Sequence, residues 1–376
     1  MIYLDHNATT PVLPEVVEAM MPWLTGNWGN PSSIHAPGRA ARRAVEEARN
    51  KVATLVGACP EQVVFTSGAT EANNSAIHSA LIHAPAKRHI VTSAVEHSAV
   101  LAYCDFVNRH RGVEITRLPV DADGMLSTDD LKRAIRPDTA LVSLMWANNE
   151  TGVIWPVAEY AKICADAGVQ FHTDAVQAVG KVPVHFGICG ASFLSFSGHK
   201  IGAPKGIGAL ILSEPASFEP LVYGGSQERG MRGGTESVPL IVAFGAAAEV
   251  VSNRDLRSWN PIKNLRDAFE SLLTQRIPRA EINGAGTERL PNTSNAYLPG
   301  LDGDAIVTFL DQKGVCISSG SACLESAITP SHVILAMAGS HERAAESIRV
   351  SIGLNTSKDE LAILTDAIVN FTLIAS

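Results

Sequence analysis

The strongest constraint on this chain is an alternation. Short, β-rich and largely apolar runs recur along it: "HIVTS" (89–93), "TALVSLMWA" (139–147), "QFHTDA" (170–175), "FLSFS" (193–197) and "GIGALIL" (206–212). Helical stretches such as "VAEYAKICADAG" (157–168) lie between several of them. An earlier stretch, "PGRAARRAVEEARNKVATLVG", carries Ala41, Ala44, Val45, Ala48, Val52, Leu55 and Val56 on one helical stripe. Strands apolar on both faces, joined by helical crossovers, predict an α/β fold with a mostly parallel central sheet covered by helices on each side.

After about residue 255 the pattern changes. A helix around "NLRDAFESLLTQR", a strand at "TSNAYL", a helix at "DAIVTFLDQKG", a strand at "ESIRVSIG" and a final helix follow one another. The last helix opens on Ser357-Lys358-Asp359-Glu360, a capping-box pattern. The expected division is a large α/β domain over residues 13–255 and a smaller α+β domain built from residues 1–12 and 256–376. The 376 residues suffice for both cores. Charge is spread without a basic block, at a formal net −8, which argues against a nucleic-acid partner. No apolar run approaches a membrane span, and the first residues lack the pattern of a signal peptide. Six cysteines are scattered without a CxxC pair, so the chain reads as reduced and cytoplasmic.

Candidate chemistry collects where strands end, the edge at which open α/β sheets bind ligands. Lys200 follows "FLSFS" in "SGHKIGAPKG", where desolvation would suit a lysine to Schiff-base chemistry. Lys205 competes with it on composition. Asp174 ends "QFHTD" with Gln177 three residues on; it reads either as a helix cap or as the partner of a pyridine nitrogen. "FTSGATEANN" runs strand, turn, helix, so the Ala69 and Thr70 N–H groups form either a phosphate cradle or a plain capping turn. His97 in "VEHSAV" is an acid–base or stacking candidate, and Asn149 in "WANNETG" closes another strand. A parallel sheet brings the ends carrying His97, Asn149, Asp174, Gln177 and Lys200 to one edge. Far down the chain, "CISSGSACLESAITPSHV" sets two thiols in a run of small residues; Cys316 reads as a packed strand residue and Cys323 as a reactive one.

Taken in order, "YLDHNATTPV", "GNPSSIH", "FTSGATEANN", "VEHSAV", "ANNETG", "HTDAVQAVGK", "SFSGHKIGAPKGIGAL", "GGSQERGMRGGTES", "SSGSAC" and "SIRVSIG" resemble the cysteine desulfurases, fold-type I pyridoxal-phosphate enzymes, over nearly the whole chain. Nitrogen-fixation and housekeeping iron–sulfur types are the nearest in wording. The resemblance implies pyridoxal 5'-phosphate as cofactor, L-cysteine as substrate and a homodimer. It implies Lys200 as the Schiff-base lysine, Asp174 on the pyridinium nitrogen, Gln177 on the phenolic oxygen and His97 stacked on the ring. Ala69, Thr70, Ser197 and His199 would hold the phosphate, with Thr235 reaching the neighbouring subunit's phosphate. Asn149 contacts the cofactor and, with Arg349, binds the substrate carboxylate. Cys323, on a loop of about residues 316–330, becomes the persulfide carrier and, as a metal ligand, a transient contact to an iron–sulfur unit. The sulfur then passes to an acceptor such as an iron–sulfur scaffold protein. Leu324 and Glu325 depart from the small or hydroxylated residues usual after that cysteine, and a carboxylate there raises the thiol pKa. The alternatives of the same class are a selenocysteine lyase or an aminotransferase; a different class would be a sulfur-carrying binding module.

Overall fold

The structure is a computed structural model that describes residues 1–319 and 330–375. In chain order its strands are β1 (Ile2–Tyr3), β2 (Val63–Thr66), β3 (His89–Ser93), β4 (Glu114–Leu118), β5 (Thr139–Ser143), β6 (Gln170–Asp174), β7 (Phe193–Ser197), β8 (Gly208–Leu212), β9 (Glu281–Ile282), β10 (Thr293–Tyr297), β11 (Val315–Cys316), β12 (Ser318–Ser319) and β13 (Ser347–Ser351). Seven of them make the main sheet in the order β2-β8-β7-β6-β5-β3-β4. Neighbours from β7 to β4 are parallel, while β8 is antiparallel to both β7 and β2. Strand β2 therefore runs the same way as β7, and the carboxyl ends of β2, β3, β5, β6 and β7 share one edge.

Every residue of β2, β3, β5, β7 and β8 is buried, as expected of strands covered on both faces. Polar groups inside the sheet are paired across strands. The His172 ring bridges the Ser143 and Ser195 hydroxyls at 2.8 and 2.9 Å, and burial pushes its pKa down to about 3, so it stays neutral. On one face, helix Ala36–Leu55 packs its stripe of Ala41, Val45, Ala48 and Val52 against helix Val238–Ser252. On the other face, helices Ala69–His83 and Ser98–Arg111 cover a core that includes Ile77, Val100, Cys104 and Leu210.

A second core gathers Leu4 from the N-terminus with Trp259, Ile262, Phe269, Ile306, Ile348 and Leu364. It lies under an antiparallel sheet of order β12-β13-β10-β9. Strand β1 pairs in parallel with β11, tying residues 2–3 to residues 315–316. The final helix, Lys358–Ala375, begins with the capping box read from the sequence: the Ser357 hydroxyl accepts the Glu360 N–H at 3.2 Å, and the Glu360 carboxylate accepts the Ser357 N–H at 2.8 Å. Among the described residues no helix is long and apolar enough to cross a membrane.

Candidate active site

The shared strand edge opens on a cavity of about 510 Å³. Ala69, Thr70, His97, Asn149, Asp174, Gln177, Ser197, His199, Lys200 and Arg349 all line it. Thr235 does not; it lines a smaller neighbouring cavity of about 90 Å³, which shares Ser67 and Gly206 with the first. Cys323 lies outside the described residues.

One wall is the start of helix Ala69–His83. Gly68 occupies the cap position and no side chain caps the helix, so its first N–H groups are left for whatever enters the cavity. The sheet comes close here because β8 begins with glycine: a Cβ on Gly208 would stand 2.7 Å from the Gly68 carbonyl carbon. Nearby, Ser197 bonds the Ile207 carbonyl at 3.4 Å, and His199 Nδ1 pairs with the Thr9 hydroxyl at 3.2 Å. Burial, reinforced by Lys200 and Lys205, pushes His199 down to about 4, so it is a neutral ring at physiological pH.

The opposite wall carries the carboxylate. Asp174, almost fully buried, accepts the Asn73 side-chain N–H at 2.7 Å on one oxygen and the Val176 N–H at 3.0 Å on the other. Among the described residues it has no ion-pair partner. A buried carboxylate that faces a cavity and has no ion-pair partner of its own among the described residues calls for a cationic N–H from a ligand. His97 caps helix Ser98–Arg111, its Nδ1 accepting the Ala99 N–H at 3.1 Å. In the neutral ring the proton therefore sits on Nε2. Burial holds His97 below its ordinary pKa; Asp174 opposes this, and Lys200 and His332 add to it.

Lys200 sits on the tight turn after β7 and is half-buried, whereas Lys205 is exposed at the rim of the same cavity. Lys200 Nζ donates to the backbone carbonyls of Asn7 and, at 2.8 Å, Ala8. Asn7 is a hub that the sequence reading did not nominate. Its carbonyl also accepts Gln177 Nε2 at 3.0 Å; its side chain meets the Thr293 hydroxyl at 2.8 Å, the Asn149 carbonyl at 3.1 Å and Lys181 Nζ at 3.2 Å. The residues of "LDHNATT" thus join the strand edge to the antiparallel sheet. The sequence signal was its place in "YLDHNATTPV", the first of the motifs that carry the resemblance, which assigned none of these residues a role.

Arg349, in β13, is buried and pre-positioned. Its Nη2 pairs with Asp5 at 2.8 Å, its Nη1 donates to the Asn149 carbonyl at 3.3 Å, and its Nε has no partner among the described residues. The two asparagines of "WANNETG" separate cleanly. Asn148 is spent on its own turn, its side-chain oxygen accepting the Glu150 and Thr151 N–H groups at 2.9 and 3.0 Å, and Asn149 is left to line the cavity.

Two buried acids stand behind this surface. Glu96 is wholly buried and burial pushes it up to about 8, Asp174 adding to the effect against hydrogen bonds from Met145 and Ser93. Burial also raises Glu150, whose carboxylate accepts the Ser331 hydroxyl. The next residue, His332, donates from Nε2 to the Glu96 carbonyl at 2.9 Å. Residues 331–332 are thereby fastened to the loops that carry His97 and Asn149. Cys316 closes β11, half-buried. Among the described residues no group of three or more His, Cys, Asp or Glu could hold a metal ion.

Residues 2–364 match the family model for class-V aminotransferases. A cysteine desulfurase of Cereibacter sphaeroides is 48% identical over 368 residues, covering 98% of this chain and 94% of the relative. A solved NifS-like protein superposes with a TM-score of 0.91 at 32% identity over 99% of each chain. A second solved structure, SspA in complex with cysteine, does so with a TM-score of 0.83 at 34% identity, covering 94% of this chain and 99% of the other. The fold, the strand-edge cavity and near-complete coverage agree: the chain belongs to the class-V aminotransferase family, among its cysteine desulfurases.

Proposed function

We propose that the chain is a pyridoxal-phosphate-dependent cysteine desulfurase that converts L-cysteine to L-alanine and an enzyme persulfide on Cys323. The observation that carries the reading is the convergence on one cavity of a buried carboxylate with no ion-pair partner among the described residues, a helix N-terminus whose cap is a glycine, and a half-buried lysine. These needs match a protonated pyridine nitrogen, a phosphate and an aldehyde in turn. Asp174 would hold the ring nitrogen protonated and Gln177 would face the phenolic oxygen. Ala69, Thr70, Ser197 and His199 would hold the phosphate, with Thr235 serving the second subunit of a homodimer. Lys200 would bind the cofactor covalently and His97 would cover its face.

When bound, the cofactor supplies an electron sink conjugated to the substrate α-carbon. The protein does the rest. Arg349 and Asn149 hold the substrate carboxylate, which fixes the amino acid against the ring. His97 and Lys200 move protons at the substrate; a neutral His97 with its proton on Nε2 is poised for that exchange. The Cys323 thiolate attacks the substrate sulfur, forming an S–S bond. The substrate C–S bond breaks, its electron pair stays on the carbon fragment, and after protonation that fragment leaves as L-alanine. The persulfide is then passed to an acceptor such as an iron–sulfur scaffold protein, with a nitrogen-fixation or housekeeping role, in the cytoplasm. At that stage Cys323 would also be the transient contact to an iron–sulfur unit.

The cleft in this reading lies between residues 13–255 and a smaller unit of residues 1–12 with 256–376, which is supported by the packing of Leu4 among residues 259–368. The test is reconstitution with pyridoxal phosphate followed by alanine measurement on adding L-cysteine. Alanine must form in the wild type and fall to background in Lys200→Ala. Undiminished alanine in that variant, or none in the wild type, rejects the reading.

A further inference from the structure

Lys181 is a buried lysine for which the mechanism above has no use. It lies outside the active-site cavity and lines two other cavities behind it. Gly180, at φ +79°, turns the chain so that the next side chain points inward. Lys181 Nζ donates to Gln177 Oε1 at 2.7 Å and to Asn7 Oδ1 at 3.2 Å. The charged and titratable groups around it are Lys200, Arg349 and His6, and no carboxylate hydrogen-bonds to it among the described residues. Burial first, and then the charges of Lys200 and Arg349, hold its pKa well below the ordinary lysine value. An amine kept there against such a cost has a local task.

That task is visible in the amide beside it. Lys181 Nζ donates here, so the Gln177 atom facing it is the carbonyl oxygen. The Asn7 backbone carbonyl only accepts, so the atom facing it at 3.0 Å must be the amide nitrogen. The two constraints agree and leave one orientation. The second N–H of Gln177 has no acceptor among the described residues, and Gln177 lines the cavity. We propose that Lys181 is a positioning residue that fixes the Gln177 amide with its N–H edge towards the active-site cavity, so that Gln177 donates to the phenolic oxygen of the bound ring. This rests on the cofactor reading given above. Without Lys181 the amide keeps one tether, the Asn7 carbonyl, and loses the donor that polarises it.

A stronger N–H donor stabilises the ionised phenolic oxygen and lowers the pH at which the bound cofactor changes protonation state. The test is a pH titration of the visible absorption of the holoenzyme, reconstituted with pyridoxal phosphate, for the wild type, Lys181→Met, Gln177→Ala and the double variant. Lys181→Met should raise the midpoint by about one pH unit, the scale of one lost hydrogen bond. The double variant should shift no further than Gln177→Ala alone, because Lys181 acts through Gln177. An unchanged midpoint in Lys181→Met, or a double shift equal to the sum of the single ones, overturns the proposal while leaving the cofactor reading intact. A wild type that takes up no cofactor overturns both. Should Lys181→Met fail to fold, Lys181→Gln is read the same way: a smaller upward shift supports the proposal and none rejects it.

Discussion

Glu96 offers a test of how the site treats charge. Its carboxyl has no exposed surface; Oε1 accepts the Met145 N–H and the Ser93 hydroxyl at 2.9 Å each, and Oε2 has no partner among the described residues. Burial lifts it from an ordinary 4.5 to about 8. The unfolded chain ionises this group near 4.5, whereas the folded protein keeps it protonated until about 8. Between those values the folded state binds a proton that the unfolded state has lost. Its contribution to stability is therefore full below 4.5 and is lost as pH rises towards 8. From about pH 5 to about pH 7.5 the loss is about 3 kcal/mol, at 1.36 kcal/mol for each unit. Glu96→Gln keeps the accepting oxygen and cannot ionise. Its unpartnered amide nitrogen adds a constant penalty of about 1–3 kcal/mol, but that offset does not vary with pH. Urea unfolding of both proteins at matched pH, with saturating pyridoxal phosphate, isolates the difference. The variant should gain about 3 kcal/mol relative to the wild type across the interval. Parallel stability profiles for the two proteins would refute the burial argument.

Two further substitutions probe pre-positioned charge. Arg349→Lys keeps a cation but loses the fork that meets a carboxylate with two N–H groups; KM for L-cysteine should rise roughly tenfold in steady-state kinetics, with a smaller change in kcat. Arg49 and Glu228 form a buried two-pronged pair at 2.7 Å on each prong, and the same carboxylate accepts the Phe65 N–H at 2.9 Å. The pair holds a turn in which Glu228 and Arg229 have φ of +46° and +59°. Arg49→Met strands the Glu228 charge and should cost about 3–5 kcal/mol in urea unfolding, most of it recovered in Arg49→Met/Glu228→Gln.

The legible parts of the fold were those written as uninterrupted apolar runs. Strands β3, β5, β6, β7 and β8 are buried along nearly their whole length, so composition and placement coincide. Strand β4 was not nominated because it is a sheet edge: Glu114 and Arg117 are exposed and only Leu118 is fully buried. Helix Val238–Ser252 was passed over for the opposite reason. It is apolar on nearly all sides and shows no amphipathic stripe. The helix stripe at Ala41–Val52 was legible, but not that Arg49 lies buried on the same helix; its partner Glu228 is far along the chain.

The candidate site divides in a similar way. Residues just after strands, such as His97, Asp174, Gln177 and Lys200, can be located because the sheet's direction gathers them. Their supports cannot. Asp5 reaches Arg349 across 344 positions, and Asn7 meets Lys181, Lys200 and Thr293 from the far end of the chain. No periodicity encodes such contacts; they arise when the N-terminal segment is trapped between two sheets. Polar pairs of this kind come from topology, and only a folded chain displays them.

The central claim is that sulfur leaves L-cysteine for Cys323. Holoenzyme treated with L-cysteine under non-reducing conditions, digested and examined by mass spectrometry, measures this directly. The account predicts a mass increase of one sulfur atom on the peptide containing Cys323, removed by thiol reductant and absent in Lys200→Ala. Sulfur on another cysteine, or alanine release with the Cys323 peptide unchanged, would contradict it.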